Sequence, residues 1–234
     1  MTSAEISRIP TGASGTTILD EPSAKHLLAA AGVAIPLGRV IGSADELPSA
    51  LAGMAFPLVA KLVSPGATHK SDVGGVKLHL QSPDEVRAAV QDLEASARNR
   101  GLRIDGFLVE EMIAGQELVI GGVMDPRFGP ILMLGLGGVF VEVLRDVVFR
   151  ICPLDRVDAI QMIDDLQGAP LLRGARGRAP ISEAALVQMI LAVGGEDGVL
   201  MAGRQRIAEL DINPVIVDGV RAVACDARIV LQHG

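Results

Sequence analysis

Tryptophan and tyrosine are absent from this chain, and its five phenylalanines hold aromatics to 2% of 234 residues. A core therefore has to be aliphatic, built from Val, Ile, Leu and Ala. Cysteine is almost absent too. Cys152 and Cys225 cannot form a disulfide framework in a chain of this size, and they read as buried apolar thiols. Positive charge is in deficit, with 21 Lys plus Arg against 28 Asp plus Glu. The resulting net charge of −7 argues against a nucleic-acid groove. It leaves open an anionic nucleotide held by local lysines and arginines. No apolar run reaches the roughly 18 residues of a membrane span. The start, Met1-Thr-Ser-Ala-Glu-Ile-Ser-Arg, lacks a basic segment followed by an apolar one, so no signal peptide is read. These absences predict a soluble, cytoplasmic protein with neither nucleic acid nor membrane as partner.

Hydrophobic residues are plentiful, at 49%, enough for the core of one large domain or two small ones. Residues 1–17 are rich in Ser, Thr and Gly without periodicity and read as a flexible arm. Glu21-Pro22 opens a helix that stops at Gly32, and 37–41 is a short strand. Ser43-Ala-Asp-Glu46 and Ser82-Pro-Asp-Glu85 have the capping-box pattern, predicting helices to about Gly53 and Arg100. Strands are expected at 58–63, 76–80, 107–112, 116–124, 131–136 and 147–151. The turn Asp125-Pro-Arg-Phe-Gly-Pro130 joins the fourth and fifth of these. Asp155 should cap a helix to about Leu166. Residues 168–180 read as a loop carrying Arg173, Arg176 and Arg178, and 181–193 as a helix. Strands at 206–212, 215–217 and 220–225 finish the chain, with Pro214 ending the first. Early alternation of strands and helices, then hairpins, gives an α+β class. No internal repeat is seen.

His69 stands in Ser64-Pro-Gly-Ala-Thr-His-Lys-Ser-Asp-Val-Gly-Gly75, with Lys61 before it and Lys70 after it. A neutral imidazole can accept a phosphoryl group on nitrogen and pass it on. Lysines can offset the phosphate charge, and a glycine-flanked loop can bring backbone N–H groups near it. A surface loop with an ordinary histidine is the plainer alternative. Lys61 lies inside the apolar run Leu58-Val-Ala-Lys-Leu-Val63, where a charge needs a partner or a route to water. Glu110 and Glu111 are adjacent, so on a strand they face opposite ways; Glu117 is a third acid nearby. Gly135-Leu-Gly-Gly138 could cradle phosphate or simply allow close strand packing. Glu209, Asp211 and Asn213 alternate with apolar residues and share one strand face, to which Asp226 can return. An amide oxygen and a carboxylate suit Mg²⁺, which takes few protein ligands. Arg145, Arg150, Arg173 and Arg176 are candidates for phosphate or partner contacts. His26, His79 and His233 carry no motif.

Six segments occur in order: Phe56–Lys61, His69–Val76, Asp125–Pro130, Gly135–Glu142, Glu209–Pro214 and Cys225–Arg228. Together, from about Ile18 to about Val230, they resemble the ATP-grasp subunit of NDP-forming acyl-CoA synthetases, relatives of succinyl-CoA synthetase. The resemblance implies an ATP-grasp fold of two lobes with nucleotide held between two sheets. It places a small lobe at about 18–110, including the His69 loop, and a larger one at about 111–234. It implies ATP or ADP and Mg²⁺ as cofactors, with Asn213 and Asp226 as metal ligands. Lys61, Glu110, Glu111, Met112, Glu117, Gly137 and Gly138 are the implied nucleotide contacts, and Glu142 lies near them. It makes His69 the relay between ADP and a phosphohistidine on a CoA-binding α subunit, whose modules this chain lacks. The activity implied is acid + ATP + CoA to acyl-CoA + ADP + phosphate. A nucleotide-sensing module associated with an acyltransferase is the alternative; such a module has no need of His69. The glycine-rich break Val193–Val199 departs from the family, which continues there through a helix.

Overall fold

The computed structural model describes residues 15–65, 74–138 and 146–232. His69, Glu142, Arg145 and His233 lie outside the described residues. The chain divides into two compact units. One is Pro36–Ile113; the other combines Met1–Ile35 with Ala114–Gly234.

The Pro36–Ile113 unit is a four-stranded antiparallel sheet in the order β2-β5-β3-β4. Its strands are β2 (Gly38–Ile41), β3 (Leu58–Val63), β4 (Val76–Leu80) and β5 (Gly106–Glu111). Every residue of β3 is buried, as its continuous apolar run predicts. A helix of 17 residues, Pro83–Asn99, packs on it. Ser82 caps that helix by accepting from Glu85 N, Pro83 sits in the first turn, and Arg98 lies in the last. Its buried residues Val86, Ala89, Val90, Leu93 and Ala97 recur at helical spacing and meet Leu58, Leu62 and Phe107. Glu85 reaches back to Gln81 N, completing a box shifted by one residue. The Ser43 segment differs from expectation. Its hydroxyl accepts from Asp45 N and Glu46 accepts from Gly42 N, giving one 3₁₀ turn and the short helix Leu47–Ala50.

The larger unit is a seven-stranded antiparallel sheet. Its main order is β1-β11-β9-β6-β7-β8, and β10 also pairs with β9. The strands are β1 (Thr16–Ile18), β6 (Gln116–Asp125), β7 (Gly129–Leu136), β8 (Val147–Ile151), β9 (Ile207–Val217), β10 (Ala222–Ala224) and β11 (Arg228–Gln232). The helices Glu21–Ala30, Arg156–Asp164 and Glu183–Gly194, with the single turn Val199–Ala202, join one aliphatic core with the sheet. Among its fully buried side chains are Leu28, Leu118, Ile120, Leu132, Leu134 and Met162. Asp155 and Asp158 form the capping box of the second helix.

Four further expectations need correction. Residues 18–35 belong with the large unit, not with a small lobe at 18–110, because their apolar residues fill its core. Thr16 and Thr17 are strand rather than arm, since they pair with Gln232 and Leu231. Pro214 does not end its strand: β9 runs on to Val217. Leu118 faces Val215 while Ile120 faces Ile212, so one residue of β6 opposes two of β9. This bulge takes up Asn213 and Pro214, where a missing N–H costs the ladder least. Within 168–180 the helix Ala169–Leu172 appears, one turn long, where only loop was expected.

Cys152 is buried beside Gly194, and burial pushes its thiol from 9.0 up to about 11, against a weaker hydrogen bond with the Leu132 backbone. The unfolded thiol ionises first as pH rises, so this stabilising contribution is present below pH 9 and lost between 9 and 11. Urea midpoints of wild type and Cys152→Ala across that range should converge as pH rises. In the native state at neutral pH, Cys152 should resist thiol reagents until urea unfolds the chain.

Candidate functional site

Lys61 and Glu110 occupy adjacent strands of the Pro36–Ile113 unit, Lys61 opposite Leu108 and Glu110 opposite Val59. That diagonal brings the Lys61 ammonium to 2.6 Å from the Glu110 carboxylate, with both side chains under a tenth exposed. The lysine of the apolar strand therefore has a buried carboxylate partner. Glu111 points the other way, as alternation requires, and accepts from Ala55 N at 2.8 Å. The Met112 amide is engaged by the Pro57 carbonyl at 2.9 Å.

In the larger unit, Glu117, Gly137 and Gly138 line a cavity of about 250 Å³ with Gly115, Gln116, Leu136, Leu171 and Arg178. The glycine turn has a local reason. Gly137 N donates to the Glu117 carbonyl at 2.7 Å, and a Cβ on Gly137 would lie 2.8 Å from Glu117. Gly138 has φ +62°, a conformation few side chains tolerate. Close strand approach thus explains Gly137 without any ligand, while leaving the Glu117 side chain exposed at the cavity.

On β9, Glu209, Asp211 and Asn213 occupy one face, with Leu210 and Ile212 turned to the core. Glu209 pairs with Arg228 at 3.2 Å. Cys225 N donates to the Pro214 carbonyl at 3.0 Å, which sets Asp226 next to the Asn213–Pro214 bulge. Asp226 accepts from Ala227 N at 2.7 Å. The described residues hold no cluster of three or more His, Cys, Asp or Glu that could hold a metal ion. One amide oxygen and one carboxylate are hard donors and fit Mg²⁺, which keeps most of its shell as water and phosphate.

The structure also sorts the arginines. Arg150 pairs with Asp165 at 2.5 Å, and Arg173 pairs with Glu183 and Asp164, whose hydrogen bonds push its guanidinium well above its usual range. Arg176 is exposed with φ 58°, away from the cavity lining. Arg178, given no role by the sequence, lines the cavity, and no sequence motif marks it. Asp146 was missed as well. Its buried carboxylate accepts from Gln167 N and Gly168 N at 2.8 Å each, anchoring the segment that leads to the arginines. His26 and His79 are exposed and serve none of these clusters. No helix among the described residues is long and apolar enough to cross a membrane.

Two antiparallel sheets, a lysine–carboxylate pair under one and an acid–amide face on the other define an ATP-grasp domain, and the family of that description matches residues 11–231. The chain belongs to that ATP-grasp family, in the branch of the β subunits of ADP-forming acetate–CoA ligases. It is 39% identical over 216 residues to the β subunit of ADP-forming acetate–CoA ligase I of Pyrococcus furiosus, covering 91% of each chain. Acetyl-coenzyme A synthetase 1 of Candidatus Korarchaeum cryptofilum, solved with coenzyme A, Ca-AMPCP and HgCl⁺, superposes with a TM-score of 0.86 at 39% identity. The match covers 92% of this chain and 93% of that one. A Mg-AMPPCP complex of the same synthetase, its phosphohistidine segment pointing towards the nucleotide binding site, matches at TM-score 0.78 and 38% identity over the same shares.

A buried pair is tested by breaking one side. Lys61→Met leaves the Glu110 carboxylate buried without this partner and should cost about 3–5 kcal/mol, while Lys61→Met with Glu110→Leu should recover most of the loss. Urea unfolding of the two variants gives the comparison. A double variant as unstable as the single one would deny the pair its structural role.

Proposed function

We propose that this chain is the nucleotide-binding, phosphoryl-relaying subunit of an ADP-forming acyl-CoA synthetase that works with a CoA-binding α subunit. The observation that carries the reading is the 39% identity, across 91% of both chains, to an acetate–CoA ligase β subunit. In this reading Lys61, oriented by Glu110, brings positive charge to the nucleotide phosphates. Glu111 and Met112 border the adenine, and Glu117 receives the ribose hydroxyls beside Gly137 and Gly138. Asn213 and Asp226 hold Mg²⁺, which offsets charge on the transferring phosphates when bound.

The relay falls to His69. Its imidazole nitrogen attacks the γ-phosphorus of ATP; the N–P bond forms as the bond to the ADP oxygen breaks, and ADP leaves with the electron pair. The phosphoryl group then passes to a histidine of the α subunit, from which it activates the acid as an acyl phosphate. Attack by the CoA thiol gives acyl-CoA and releases phosphate. The phosphohistidine segment of the Korarchaeum synthetase, pointing towards its nucleotide site, supports this role.

Three experiments test the reading. His69→Asn should abolish an acid-labile, base-stable phosphoryl label and CoA-thioester formation with the α subunit, while ATP binding stays near wild type; full turnover in the variant would end the relay role. The chain alone should bind ADP yet make no acyl-CoA until the α subunit is added. For the metal, Asn213→Ala and Asp226→Ala should each reduce the gain in ATP affinity that Mg²⁺ confers, measured by calorimetry with and without the ion. An unchanged gain in both variants would remove the assignment.

A further inference from the structure

We propose that Arg178 grips a phosphate group of the nucleotide whose ribose lies at Glu117. This rests on the nucleotide reading of the cavity given above and adds a residue to it. Of the other arginines around the cavity's supporting segment, Arg173 is held by Glu183 and Asp164, Arg150 by Asp165, and exposed Arg176 is not among the residues that line the cavity. Among the described residues Arg178 forms no ion pair, although it is exposed and lines a cavity that Glu117 also lines.

Its position is built rather than incidental. The Gln116 carboxamide donates to the Leu171 carbonyl at 3.2 Å and the Ala179 carbonyl at 2.9 Å. One side chain, directly before Glu117, therefore ties both ends of the arginine-bearing loop to the start of β6. Asp146 clamps Gln167 and Gly168 just ahead of the loop. Arg173 guys its middle to two other helices' acids, and left-handed Gly174, Arg176 and Gly177 let the chain double back. Arg178 arrives at the cavity on this braced path, with its N–H on the Ala175 carbonyl.

The chemistry narrows the ligand. Glu117 and Arg178 line one cavity, and both are exposed. A ligand must satisfy an acceptor and a cationic fork at once. Ribose hydroxyls donate to a carboxylate, and a phosphate accepts two parallel bonds from a guanidinium. A free anion would face the Glu117 charge, and a cation the Arg178 charge. At about 250 Å³ the space is smaller than the roughly 300–1,000 Å³ of pockets that enclose a whole ligand, so it takes the sugar–phosphate portion.

The test is calorimetric titration of the full chain with ADP, and with adenosine by displacement of ADP. Arg178→Gln should weaken ADP by roughly tenfold to a hundredfold, the range of a lost charge-assisted contact, and leave adenosine unchanged. Arg178→Lys should recover part of the loss, since an ammonium keeps the charge without the fork. Arg176→Gln should alter neither ligand. Unchanged ADP affinity in Arg178→Gln, or an equal loss for adenosine, would overturn the assignment while the nucleotide reading stands. A wild-type chain that binds neither ligand would overturn both.

Discussion

The two-residue alternation of β9 is the constraint on which the larger unit depends. This strand pairs with β6, β10 and β11, and its even face, Leu210 and Ile212, is core while Glu209, Asp211 and Asn213 face away. A slip of one residue would bury three polar side chains and expose the aliphatic ones, so the register is held by the hydrophobic effect. The bulge at Asn213 and Pro214 breaks the alternation once. Beyond it Val215, Ile216 and Val217 are all buried, and the returning Cys225–Asp226 segment hydrogen-bonds at the break. The acid–amide pair proposed to hold Mg²⁺ thus stands where the ladder has been interrupted, a usual place for a bulge to re-aim a side chain.

Burial decides which charges serve structure and which remain available. Lys61 with Glu110, and Glu21 with Lys25 at 2.8 Å, are ion pairs almost closed to water, and such charges need partners because desolvation is costly. Asp146 receives two backbone N–H groups instead. At the surface, Arg173 shares itself between two carboxylates in water, where each pair adds little stability. What it contributes is direction, since it braces the loop that delivers Arg178.

Much of this arrangement was legible in the sequence. The strand at 58–63, the helix begun by Ser82-Pro83 and the hairpin at Asp125–Pro130 follow from local patterns: a continuous apolar run, a cap three residues before the N–H it accepts from, and Pro and Gly at a turn. The opposite orientations of Glu110 and Glu111 also follow from strand geometry. The glycine pair at 137–138 was legible as a place of close approach, although its neighbour Glu117 could not be named from residues twenty positions away.

What the sequence determined by itself is what depends on neighbours a few residues apart: periodicity, caps, turns, and a set of motifs specific enough to mark the family. Only the tertiary structure decided which residues separated by dozens of positions meet. It moved 16–35 into the large unit, because a three-residue strand forms only where an edge such as β11 waits for it. It gave Lys61 its carboxylate, and it engaged Arg150 and Arg173 while bringing Arg178 to the cavity. These outcomes rest on cross-strand register and on side-chain hydrogen bonds to distant backbone, such as Gln116 to Ala179, and neither leaves a local trace in the order of residues.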